Sequence, residues 1–155
     1  MASIFTYKKQ ISLKNEFDDI FASIRKLKIE VGNHSYHNVS VNDKFAFIPK
    51  ADSFLAGNAL IPSVNATVDK REREIKVNFE FILTPFVRTF SVLFALFAAV
   101  LGIVGIIASV QSGTFNEGLA VIAGIVLFEC LLLRVGLILN AKRFISEFLY
   151  ELTGK

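Results

Sequence analysis

The sequence predicts an α+β protein: a one-helix sheet domain, then a transmembrane α-hairpin and a short C-terminal amphipathic helix. Three observations predict it. Residues 89–110 form a run of 22 without a charged side chain. Residues 118–141 form a second apolar run, in which only Glu129 and Arg134 are charged. Ahead of both, apolar residues recur with a period of two in several short stretches and with a helical period in one. The chain thus divides into a cytosolic α+β domain (1–84), a two-helix hairpin (85–141, turn at 111–117) and an amphipathic tail (142–155).

In residues 4–12, Phe5, Tyr7 and Ile11 alternate with Thr6, Lys8 and Gln10, with Lys9 on the apolar side, which predicts a first strand. Phe17, Ile20, Phe21, Ile24 and Leu27 then mark one face of a helix over residues 13–26. Ser12 is placed to cap it, with Asp18 and Asp19 early and Arg25 and Lys26 late, as the helix dipole prefers. Leu27, Ile29 and Val31 predict a strand ending at Gly32-Asn33. Short strands around Val39 and Val41, and through Phe45 and Phe47, follow with Asn42-Asp43 as the turn between them. Pro49 and residues 51–58 read as a loop or irregular edge. Val64, Ala66 and Val68 run into the charged turn 69–73, and Ile75, Val77, Phe79, Phe81 and Leu83 run out of it. The result is roughly five to six antiparallel strands with a helix across one face.

At a helical rise of about 1.5 Å per residue, each apolar run is long enough to cross a hydrocarbon layer of roughly 30 Å. A buried hairpin in a soluble bundle would need further amphipathic helices to cover it, and the chain supplies only short ones. Lys70, Arg71, Arg73, Lys76 and Arg88 precede the first run, and Lys142, Arg143 and Lys155 follow the second. The connecting turn carries only Glu117. This bias predicts both termini in the cytosol and the turn outside, and the first 30 residues contain no signal-peptide core that would argue for export.

Within the first run, Ser91, Ala95, Ala98, Gly102, Gly105 and Ser109 form one helical stripe of small residues, a face on which another helix can pack closely. Glu129 and Arg134 each cost about 2.5 to 3.5 kcal/mol near the centre of an inserted helix. Arg134 is near enough to the cytosolic end to snorkel; Glu129 is not. Five positions apart, they diverge by about 140° on one helix. Three options follow: Glu129 is protonated, faces a water-filled cleft, or meets a polar group such as Arg134 on another chain. The expectation is the third, an intramembrane polar contact implying a homo-oligomer or a second membrane protein besides the bilayer.

A formal charge of +3 with Asp and Glu interspersed argues against nucleic acid. The single Cys130 excludes a disulfide framework or a cysteine metal site. His34 and His37 are the only histidines and read as exposed imidazoles at a turn or strand end. No phosphate loop, GxSxG, HExxH or Walker sequence is present, so no catalytic residue, cofactor or metal is expected. In residues 142–152, Phe144, Ile145, Phe148, Leu149 and Leu152 share one face, suited to the bilayer interface or to the sheet.

This layout resembles many small uncharacterised bacterial membrane proteins that place a β-rich cytosolic domain before a two-helix hairpin. The resemblance implies a bacterial inner-membrane location and transfers no activity. The expectation is an integral membrane scaffold or interaction protein that oligomerises through its hairpin. The alternatives are a membrane-anchored lipid or small-molecule binding module, with a cavity between helix and sheet, and a small transport or channel subunit using Glu129.

Overall fold

The alternation of inward apolar and outward polar residues builds one antiparallel curled sheet. A computed structural model describes residues 4–14, 19–32, 34–41, 43–50, 61–70, 74–113 and 117–154. Its strands are β1 (Thr6–Lys14), β2 (Glu30–Val31), β3 (His34–Val41), β4 (Lys44–Pro49), β5 (Ser63–Lys70) and β6 (Glu74–Ile82). Their order across the sheet is β1-β6-β5-β4-β3-β2. The first strand thus pairs with the last, in register from Thr6 opposite Ile82 to Lys14 opposite Glu74. The pleat sends Phe45, Phe47, Val64, Ala66, Val77, Phe79 and Phe81 into the core, while Asn65, Thr67 and Asn78 face outward and are exposed.

Helix α1 (Ile20–Lys26) is shorter than its periodicity predicts. Leu13 extends the alternation begun at Ile11 and pairs with Ile75, so ladder hydrogen bonding claims residues 13 and 14 for β1. The cap is accordingly Asp19, whose Oδ1 accepts the Ala22 N–H at 3.0 Å, and not Ser12. Phe17 and Asp18 lie outside the described residues, as do Asn42 of the expected turn and residues 51–58, expected to form a loop or irregular edge. Pro49 is the last residue of β4.

Two long helices follow. Thr84 and Pro85 start α2 (Pro85–Ser112), with proline at the first turn where its missing N–H goes unused. Gly113, at φ 68°, ends it in the left-handed conformation that glycine adopts without strain. Both α2 and α3 (Glu117–Thr153) are long and apolar enough to cross a membrane. Their large apolar side chains point outward: Phe90, Leu93, Phe97, Ile103, Leu127, Phe128 and Leu131 are all exposed.

Residues 142–153 are not a separate short helix; they are the far end of α3, which runs unbroken for 37 residues. Composition changes at Lys142, but no proline or left-handed glycine interrupts the helix before Gly154, at φ 67°. Leu133, Leu137, Ala141, Phe144 and Phe148 form one buried stripe on it and join the sheet's core. The Phe144 ring meets Tyr36, Phe47, Phe79 and Phe81 edge-on, with centroids 5.0 to 6.2 Å apart. Phe148 meets Phe47 and Phe79 in the same way. The apolar side of the sheet is therefore filled by this helix end and by α1, whose Ile20 and Ile24 are fully buried.

Candidate functional site

Only Leu83 and Thr84 separate β6 from α2, so the Ile82 end of β6 defines one rim of the sheet. Antiparallel register carries that rim across the fold. Thr6 and Ser63 both pair with Ile82, Phe47 pairs with Val64, Tyr36 with Pro49, and Val31 with His34. Helix α3 crosses this rim, making contact with β1 at one side and β2 at the other.

At the β1 side, Arg134 donates from Nη1 to the Thr6 carbonyl oxygen at 2.7 Å, and its guanidinium lies 5.7 Å from the Tyr7 ring centroid. The chain thus supplies Arg134 with partners of its own. A charge-assisted hydrogen bond of this kind contributes about 1.5–3 kcal/mol, and the ring face adds a cation–π contact. Arg88 stands 5.9 Å from the Phe5 ring centroid on the same rim. Sequence spacing leaves Arg134 unmatched because its partner is a backbone oxygen 128 positions away.

Glu129 is half-buried, on the stripe of α3 that also carries Leu119, Ile122, Val126 and Leu133. The two long helices pack on each other. On α2, Ser91, Ala98 and Gly105 are buried, Gly102 and Ser109 are half-buried, and Ala95 is exposed. The Ser109 hydroxyl donates to the Gly105 carbonyl at 2.9 Å, which satisfies its polarity within its own helix.

At the β2 side, a cavity of about 200 Å³ opens between the rim and α3. His34, Tyr36, Asn140 and Arg143 contribute its polar lining, with Val31, Gly32 and Ile61 completing it. Tyr36 is held against Phe144, and burial raises its phenol above the ordinary value of about 10. The two histidines, expected to be exposed together, are separated by the pleat: His34 faces inward and is buried, while His37 faces outward and is exposed. They cannot share a ligand. Among the described residues, no three His, Cys, Asp or Glu side chains gather in metal-binding range.

Sequence reasoning passed over Asn140 and Tyr36 as site residues and read Arg143 only as a flanking positive charge. Asn140 and Arg143 are three apart, and so on one helix face, but nothing in the sequence signals that β3 lies opposite them. The chain matches no protein-family model, no curated protein and no solved structure. What the fold defines is a class: an α+β sheet with one short helix, joined to two long apolar helices.

Proposed function

We propose that this chain is a two-pass integral membrane protein that mounts its sheet domain rigidly on the cytosolic face of a bacterial inner membrane and acts there as a scaffold or interaction module. The observation that carries this reading is the double role of α3. Its first half exposes Leu127, Phe128, Leu131 and Leu132, while its second half buries Phe144 and Phe148 inside the sheet. A soluble protein has no reason to leave so much contiguous apolar surface in water.

The sheet is attached twice, through the short Leu83-Thr84 link and through α3, so it has little freedom to swing away from the bilayer. Arg88, Lys142 and Arg143 then fall at the headgroup level, where positive charge retains a chain segment on the cytosolic side. Contact with a second copy or another membrane protein belongs to the same reading, with Glu129 on the hairpin as its polar element.

Cysteine accessibility tests the topology. In a Cys130→Ser background, a cysteine at Ser112 is expected to react with a membrane-impermeant maleimide added outside intact spheroplasts. A cysteine at Asn78, on the outer face of β6, is expected to react only after lysis. Equal labelling of the two before lysis rejects the reading.

A further inference from the structure

Resting on the membrane reading above, we infer that the rim cavity beside α3 is a binding site for a phosphate group, carried by an anionic lipid headgroup. The first argument is position. Along α3 the last exposed aliphatic residues are Val135 and Leu139, at 45% and 50% exposure, and the exposed Lys142 and Arg143 follow directly. Hydrocarbon gives way to headgroups between them, and Asn140 and Arg143, which line the cavity, straddle that boundary. The sheet side of the cavity is the same rim from which α2 departs, so both walls meet the bilayer at one level.

The second argument is chemistry. Arg143 brings a permanent guanidinium fork, the group best matched to phosphate oxygens. Asn140 brings an amide N–H₂, Tyr36 a phenol and His34 an imidazole. No Asp or Glu lines the cavity among the described residues, and Lys50, whose N–H donates to the Ser35 carbonyl at 3.0 Å, adds positive charge to the same rim. Lining of this kind attracts an anion and rejects a cation.

The third argument is size. About 200 Å³ is below the range of roughly 300–1,000 Å³ that holds drug-sized ligands. It suits a phosphate with its nearest substituents and leaves acyl chains outside, along α3. The interior of the sheet offers no competing place for those chains, since Phe144 and Phe148 occupy it.

The experiment uses the full chain in phosphatidylcholine nanodiscs doped with phosphatidylglycerol, with retained lipid read by native mass spectrometry after mild release. Wild type is expected to retain phosphatidylglycerol selectively, and Arg143→Gln to lower that retention about tenfold, the loss of one charge-assisted hydrogen bond. Lys142→Gln, which removes the same charge one residue away from the cavity lining, is expected to leave retention near wild type. Equal loss in both variants, or no loss in Arg143→Gln, overturns the site.

A second arm titrates inorganic phosphate against the protein in neutral detergent. Saturable binding that Arg143→Gln abolishes, without selective lipid retention, assigns the phosphate to a soluble ligand and overturns the lipid source. Co-elution of all variants with nanodiscs reports the membrane reading independently, so failure of that reading and failure of the site give different results. An unchanged melting profile for Arg143→Gln confirms that a loss of lipid is not a loss of fold.

Discussion

Tyr36 occupies a hinge between two environments: its ring sits edge-on to Phe144, 5.0 Å between centroids, while its side chain also lines the rim cavity. Burial disfavours the phenolate, so the folded state holds the Tyr36 proton more tightly than the unfolded state does. The sign of the pH dependence follows. Below the unfolded phenol value of about 10, both states carry the proton and stability is flat with respect to this group. Above it, unfolding releases a proton that the folded state retains. Stability therefore falls by up to about 1.4 kcal/mol per pH unit until the folded group ionises. Chemical denaturation in detergent at pH 9, 10 and 11 checks this. Tyr36→Phe is expected to flatten the decline in that window while leaving stability at neutral pH within about 1 kcal/mol. An equally steep decline in the variant assigns the alkaline loss to other groups.

Helix α3 decides how much of the fold was legible in advance. The β5–β6 hairpin was readable because strict period-two alternation on both sides of a charged turn has one structural solution. Of the small-residue stripe of α2, Ser91, Ala98 and Gly105 are buried while Ala95 is exposed. The start of α1 was misplaced because Ile11 and Leu13 fit the strand and Phe17 and Ile20 fit the helix, and only pairing with Ile75 decides the border. The division of α3 at Lys142 followed a change of composition, yet Leu133, Leu137, Ala141, Phe144 and Phe148 keep one helical period straight through it. Arg134 and the rim cavity were out of reach, because both depend on strands distant in sequence. The continuity of α3 has a testable consequence. One alanine inserted after Leu139 rotates everything beyond it by about 100°, turning Phe144 and Phe148 out of the sheet. Since losing a buried Phe costs about 3–5 kcal/mol, the sheet domain of this insertion variant is expected to be degraded by limited proteolysis, with the hairpin still recovered in membranes. Resistance equal to wild type means that the sheet folds without its helix.

On the scale of the whole molecule, Glu129 stands apart from the hairpin cations that the sheet engages. Arg134 finds Thr6 and Tyr7, and Arg88 finds Phe5, so these two cations are held by β1 or the residue before it. Glu129 is five residues, roughly 7.5 Å, further from the rim than Arg134, half-buried on the stripe of α3. A two-helix hairpin covers only one side of each helix, so part of Glu129 is left to whatever surrounds the pair. On the membrane reading proposed above, that exposure to hydrocarbon costs on the order of 2.5 kcal/mol or more, whereas a polar group on a neighbouring helix offsets it. Closed symmetric association of identical chains is the commonest way for one such group to be matched by another. Native mass spectrometry of protein released gently from membranes is therefore expected to give an integral multiple of 17.2 kDa. Glu129→Leu, which removes the carboxyl and keeps apolar bulk, is expected to shift the distribution toward monomer. If the variant assembles as wild type does, its contacts run through the apolar faces of the hairpin, and the carboxyl is held within the chain in the seam between α2 and α3.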